Sequence, residues 1–236
     1  MSNSNTSIEK LLARQAHLFE LQKSLQKTHK SPPAPFITIS RAFGCSGFGL
    51  GNKLLERLNV EQIESQEWSI YDRRIFDCID GNPDLCLQFF ESHIEKRRFE
   101  FEEYLNTTLG TTPSDLALFK RWASAMCNLA TTGRSIFVGR ASWLVTKHLE
   151  HGIHLRIDAP LAWRAERYAM ANGLESGAAL TLMKKKDQER QNFISRYFSY
   201  DPDDYSSFHL VLNNARLSES EMVEVILQVL KSKNTT

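Results

Sequence analysis

A short β-rich run that empties into a glycine-dense turn and then a helix constrains this chain more than any other feature. Phe36–Ser40 (FITIS) is rich in β-branched residues, which favour a strand. The turn Gly44-Cys-Ser-Gly-Phe-Gly-Leu-Gly51 comes at once, and Leu50 to Leu58 puts Leu54, Leu55 and Leu58 on one side of a helix. Strand, glycine turn and helix in that order open an α/β domain. Glycines let the backbone approach a phosphate closely, and a helix start supplies partial positive charge. The amides of Gly44, Cys45, Ser46, Gly47, Phe48 and Gly49 therefore read as an anion cradle. The competing reading is a tight strand-to-helix turn with no ligand.

The rest of the chain repeats the alternation. Ser135–Gly139 (SIFVG), Ile153–Asp158 (IHLRID) and Phe208–Leu212 (FHLVL) read as buried strands. Helices are expected over Trp143–Glu150, residues 160–172 and 175–198, and Ser218–Lys231. Residues 72–132 read as mostly helical, punctuated at Gly81-Asn82-Pro83 and Gly110-Thr-Thr-Pro113, with Glu95–Glu103 a solvated helix. Alternating strands and helices predict a parallel, doubly wound sheet. The chain of 236 residues divides at one clear linker, Ser31-Pro32-Pro33-Ala34-Pro35, because proline stops a helix. Residues 1–35 form a helical arm with Pro-rich linker, and 36–236 the main domain.

Composition narrows the function classes. Lys and Arg number 29 against 28 Asp and Glu, a net charge of +1, so no global field draws the chain to nucleic acid. Residues 1–35 hold five basic residues and two acidic ones, a net of +3, leaving −2 for the rest. A solvated helical arm is favoured over one lying on a membrane, and its leucine face offers a homodimer contact or a surface that packs on its own domain. No apolar run approaches the ~18 residues of a membrane span. Cys45, Cys78, Cys86 and Cys127 show no CxxC pair, which fits free thiols in a cytoplasmic protein. No metal site is expected, since His93, His148, His151, His154 and His209 lack ligand spacing. Trp68, Trp122, Trp143 and Trp163 are assigned to the core rather than to base stacking.

Two phosphate-loop patterns fail. Laid on this segment, G-x-x-x-x-G-K-[ST] puts its four defining positions on Arg41, Ser46, Gly47 and Phe48, and all four miss. Gly44–Leu50 also looks like the cofactor turn of the short-chain dehydrogenases. Those enzymes need a Tyr-x-x-x-Lys pair, and none of the six tyrosines has lysine four residues on.

A set of ordered segments resembles the cytidylate kinase-like family. Ile37-Thr38-Ile39-Ser40-Arg41-Ala42-Phe43-Gly44-Cys45-Ser46-Gly47 is similar to its opening stretch, which also lacks the lysine. Tyr71-Asp72-Arg73-Arg74, Val138-Gly139-Arg140-Ala141 and Asp158-Ala159-Pro160 with Arg164, Glu166 and Arg167 come next in order. Lys184 through Arg190 to Arg196 resembles the lid, and Phe208 to Ser218 the closing segment. The resemblance implies a P-loop NTPase-type parallel sheet flanked by helices, with a helical substrate-binding insertion and a mobile lid. It also implies transfer of the γ-phosphoryl of ATP to a nucleoside monophosphate, CMP or dCMP, with Mg²⁺ as the companion of ATP.

On that resemblance Arg41 is the candidate to replace the lysine's charge, the alternative being a local ion pair. Asp72 would contact the acceptor nucleotide, with Arg73 or Arg74 on its phosphate; the alternative is a surface turn. Arg140 would touch the acceptor, although Ala141 stands where cytidylate kinases carry Asp. Arg190 and Arg196 would close over the phosphates, because guanidinium forks match phosphate oxygens. Asp187 would orient one of these arginines or Mg²⁺, and Lys184–Lys186 are read as a solvated face. The alternatives are a catalytically weak nucleotide-binding regulatory protein of the same fold, or a kinase for a non-nucleotide small molecule.

Overall fold

The computed structural model describes residues 33–60, 67–72, 113–139, 141–198, 200–201 and 204–234. The arm over residues 1–32, Arg73, Arg74, Cys78, Cys86, the helical insertion up to residue 112 and Arg140 lie outside the described residues.

Phe36, Ile37, Thr38 and Ile39 are all buried, because β1 (Phe36–Arg41) is central and covered on both faces. Around it run α1 (Gly47–Val60), β2 (Ser69–Tyr71), α2 (Pro113–Thr132), β3 (Ser135–Val138) and α3 (Ser142–Thr146). Then come β4 (Gly152–Asp158), α4 (Leu161–Asn172), α5 (Ser176–Tyr197), β5 (Leu210–Asn213) and α6 (Glu219–Asn234). All five strands are parallel in the order β2-β3-β1-β4-β5, with Ile37 level with Ile136 on one side and Ile153 on the other. The chain leaves β1 toward β2 and β3, then returns on the other side to β4 and β5. The carboxyl end of β1 is therefore a topological switch point, where open sheets bind ligands.

Alternation along the strands divides two apolar layers. Ile37, Ile39, Ile136, Val138, Leu155 and Ile157 pack with Leu50, Leu54 and Leu58 of α1 and Met222, Ile226 and Leu230 of α6. On the opposite face Phe36 meets Phe137 edge-on at 6.2 Å, and Tyr71 stacks on Phe137 at 5.4 Å. Trp68 and Trp143 are buried, as core residues should be.

Element boundaries shift for local reasons. α1 starts at Gly47 rather than Leu50, so three of the turn's four glycines are helical. α3 stops at Thr146 instead of Glu150, and the chain turns before β4. β5 begins at Leu210, although the His209 amide already donates to the His154 carbonyl at 2.8 Å. The three-residue β2 carries too little pattern to be read as a strand.

His154 sits in β4, 4% exposed, with Nδ1 2.9 Å from Thr38 Oγ1 and its ring 6.0 Å from that of Phe36. Burial pushes its pKa down to about 4, and the neighbouring His209 and Lys233 act in the same direction. The folded protein thus keeps this ring neutral while the unfolded chain takes up a proton below its ordinary value of 6.5. Stability is expected to be full above pH 6.5 and to fall by up to about 3 kcal/mol toward pH 4. Urea unfolding across that window checks this, and His154→Asn should flatten the dependence.

Candidate functional site

β1 delivers the chain directly into the glycine turn. The Ala42 amide donates to the Ile157 carbonyl at 3.0 Å, which extends the β1–β4 ladder by one residue. At Gly44 the backbone turns with φ +87°, and a Cβ there would lie 3.2 Å from Met183 Sδ and 3.3 Å from Arg164 Cβ. Position 44 therefore demands glycine on conformation and on space. The Leu50 amide then donates to the Ser46 carbonyl at 3.0 Å as α1 begins.

Two loop amides are met by side-chain oxygens. The Phe43 amide donates to Asp187 Oδ1 at 3.1 Å, and the Ser46 amide donates to Asn214 Oδ1 at 3.2 Å. Both acceptors come from distant segments, α5 and the residue after β5, so the loop already presents N–H groups to oxygen atoms. The amides of α1's first turn add to this edge, since a helix start leaves its first N–H groups without intrahelical acceptors.

The helix register agrees with the placement of the lysine motif made from the sequence. β1 ends at Arg41 and α1 opens at Gly47, the position that the motif gives to its lysine. Leu50 lies further into the helix, is 0% exposed and points into the core with Ile39 and Leu54.

Arg41 closes one side of the loop. Its side chain crosses Gly47, where a Cβ would come within 2.9 Å of Arg41 Cδ. Its Nη1 then lies against Gly139, so that no side chain fits at position 139, where φ is +81°. The guanidinium is thereby carried to the end of β3.

On the β4 side a pocket of about 270 Å³ opens beneath α5. Arg156, Arg164 and Arg190 line it with Asp158, Asp187 and Tyr205. Arg164 is 7% exposed; its Nε donates to the Ala159 carbonyl at 2.9 Å, and its Nη1 to the Phe43 carbonyl and Asp187 Oδ2, both at 2.8 Å. Arg190 Nη1 donates to the Arg41 carbonyl at 2.7 Å and stands 4.0 Å from Asp187 Oδ1. Burial lowers the pKa of Arg190, and Arg156 and Arg164 push it the same way against Asp187. Arg156 donates to Asp158 Oδ2 through Nε at 3.3 Å and Nη2 at 2.9 Å. The Tyr205 hydroxyl donates to the same oxygen at 2.9 Å, while Asp158 Oδ1 accepts the Ala159 amide at 2.8 Å. Burial would raise the Asp158 carboxyl, but the Arg156 contacts prevail and hold it below its ordinary value.

Cys45 stands in this field with its thiol pushed up to about 11, by burial first and the Asp158 charge second. It is an un-ionised loop residue rather than a nucleophile. Among the described residues no group of His, Cys, Asp and Glu could hold a metal ion. No described helix is long and apolar enough to cross a membrane.

Of the candidates read from the sequence, Arg41, Gly44 to Gly49 and Arg190 converge at this edge. Asp72 lies just past β2 at the sheet margin, beyond β3 from the loop. Arg196 lies near the end of α5. Asp187 pairs chiefly with Arg164, at 2.8 Å, rather than with Arg190, which stands 4.0 Å away. Lys184 and Lys185 are exposed, as a solvated face requires. Sequence reasoning missed Arg156 and Tyr205, although an arginine inside the apolar run IHLRID was a visible signal.

Central strand, glycine turn and flanking helices in this strand order define a P-loop kinase-type α/β protein. The chain belongs to the cytidylate kinase-like family, whose model matches residues 36–216. It is 26% identical over 147 residues to a cytidylate kinase of Methanopyrus kandleri, a match covering 59% of this chain and 74% of that one. It is 34% identical over 93 residues to a cytidylate kinase of Sulfolobus acidocaldarius, which spans 39% of this chain and half of the relative. The crystal structure of an uncharacterized protein from Eubacterium ventriosum shares the fold, with a TM-score of 0.62 at 19% identity over 84% of this chain and 98% of that one.

Removing one partner of a buried ion pair costs more than the pair contributes. Arg164→Leu strips the Phe43 and Ala159 carbonyls of a donor and leaves Asp187 short of its main partner. It should destabilise the fold by about 3 kcal/mol, and Asp187→Asn by less; urea midpoints measured on both variants test the order.

Proposed function

We propose that the protein is an ATP-dependent nucleoside monophosphate kinase whose acceptor is CMP or dCMP. The observation that carries this reading is a loop whose amides already meet carboxylate and amide oxygens, set beside a pocket of three guanidinium groups. Phosphoryl transfer asks the protein for in-line positioning, charge neutralisation and exclusion of water, and little covalent chemistry.

In this reading the amides of Gly44 to Gly49 hold the donor β-phosphate, and Arg41 supplies positive charge from the β3 side. Arg190, on α5, closes over the phosphates, with Arg196 about one and two-thirds helical turns further on. Asp72, Arg73, Arg74 and Arg140 are assigned to the acceptor nucleotide. Ala141 adopts a left-handed conformation at φ 54° where cytidylate kinases carry Asp, so the acceptor's base and sugar lose one polar contact. Mg²⁺ fits as a companion of ATP held through phosphate oxygens and water, because Phe48 offers no hydroxyl and Asp158 and Asp187 are engaged by arginines.

One observation favours a second reading. With Gly47 where the motif places its lysine, a nucleotide-binding regulatory protein with weak turnover fits the same fold.

ADP production with Mg-ATP against CMP, dCMP, UMP, AMP and GMP separates them. Turnover is expected with a cytidine nucleotide, and Arg41→Ala should lower kcat by about a hundredfold. ATP binding by calorimetry without turnover on any acceptor would establish the regulatory reading. Turnover only with a non-nucleotide alcohol or acid would move the acceptor outside the nucleotides.

A further inference from the structure

We infer that Arg156 contacts the phosphoryl oxygens of the bound substrates, with Asp158 and Tyr205 as its positioning residues. This rests on the phosphotransferase reading above.

Register gives the first argument. Arg156 on β4 is level with Ser40 on β1, so its side chain leaves the sheet just below the start of the loop. Arg41 carries its guanidinium away to Gly139, just past β3. Arg156 stands on the opposite flank, and the two strand-borne arginines bracket the loop from either side.

A structural role explains Arg156 poorly. Arg164 ties three segments together, whereas the main partner of Arg156 is Asp158, two residues along the same strand. Its contact to Ser40 Oγ is long, at 3.4 Å. An ion pair within one strand fixes no tertiary contact, yet the Arg156 side chain is only 16% exposed, which is costly unless something offsets the desolvation. What this arrangement does achieve is orientation. Asp158 Oδ2 holds Nε and Nη2 while Tyr205 donates to that same oxygen and lays its ring 5.5 Å from the guanidinium carbon.

Charge points to the class of ligand. Three arginines against two aspartates leave the pocket with one net positive charge, and all three guanidiniums act on one another or on the same groups. Clustered like charges in a half-closed pocket are relieved by an anion, and a phosphoryl group with two or more charged oxygens fits the forked donors of arginine. The terminal phosphate of the donor and the phosphate of the acceptor share that chemistry.

Arg156→Met, Arg156→Lys and Tyr205→Phe, each in the full chain, test the assignment through kinetics, tripolyphosphate affinity and melting temperature. Arg156→Met should lower kcat about a hundredfold while melting close to the wild type. Arg156→Lys should restore part of that loss, and Tyr205→Phe should lower kcat severalfold with KM unchanged. A rise confined to the KM of ATP assigns the contact to the donor, and one confined to the acceptor KM assigns it there. Values of kcat and KM within threefold of wild type for Arg156→Met overturn the inference. If that variant does not fold, unchanged kcat in both Arg156→Lys and Tyr205→Phe overturns it instead. If the wild-type protein turns over no nucleotide, the kinase reading falls separately and tripolyphosphate decides. A tenfold weaker binding in Arg156→Met, or in Arg156→Lys where the Met variant does not fold, then sustains the phosphoryl contact; equal binding, or none to either protein, overturns it.

Discussion

One buried guanidinium organises the carboxyl edge of the sheet. Arg164 reaches from α4 to the Phe43 carbonyl in the loop, the Ala159 carbonyl at the end of β4, and Asp187 on α5. Asp187 in turn accepts the Phe43 amide, so donor and acceptor of one loop residue are both spoken for by the same ion pair. A charge pair this deep adds little net stability over an apolar pair of equal size. Its contribution is geometric. It fixes the loop, the β4–α4 corner and the proposed lid helix relative to one another, and Gly44 completes the fit because Met183 and Arg164 leave no room for a side chain.

This coupling bears on how the site would work. α5 carries Arg190, whose Nη1 donates to the Arg41 carbonyl, so the helix already touches the strand end that leads into the loop. Any movement of α5 away from the sheet has to break the Asp187 contacts as well. Asp187 Oδ1 occupies a loop amide of the kind an incoming phosphate oxygen would use, and release of that amide and binding of an anion are therefore linked events.

The fold was legible where pattern and punctuation agreed. Phe36–Ser40, Ser135–Gly139 and Ile153–Asp158 announce buried parallel strands through continuous apolar content, and the glycine turn marks the passage from the first of them into a helix. β2 was not legible, because Ser69–Tyr71 spans three residues and draws its strand character from pairing with β3. The start of α1 was misjudged because glycine has low helix propensity, whereas Gly47 and Gly51 are helical positions that need glycine because Arg41 and Ile70 sit where a Cβ would go. The glycines and Arg190 announce themselves by type and order. Arg156 does not, since its meaning lies in lateral register with Ser40, a relation that sequence spacing of 116 residues hides.

On the proposed function, the absence of a lysine at Gly47 is best understood as a relocation of charge. The Arg41 side chain takes the space beside Gly47, and Leu50 packs with Ile39 and Leu54, anchoring the helix start to the sheet. The positive charge then has to come from elsewhere, and the strand ends are the nearest rigid supports. Side chains on β1 and β4 are held by the sheet itself, which positions a donor more firmly than a loop does. Arginine suits those positions better than lysine. Its planar fork can be gripped on one edge, as Asp158 grips Arg156, while other N–H groups remain directed at a ligand. On the proposed function, a donor held in this way needs less reorganisation when charge develops on the transferring group, and preorganised electrostatics are the larger part of catalysis in such reactions.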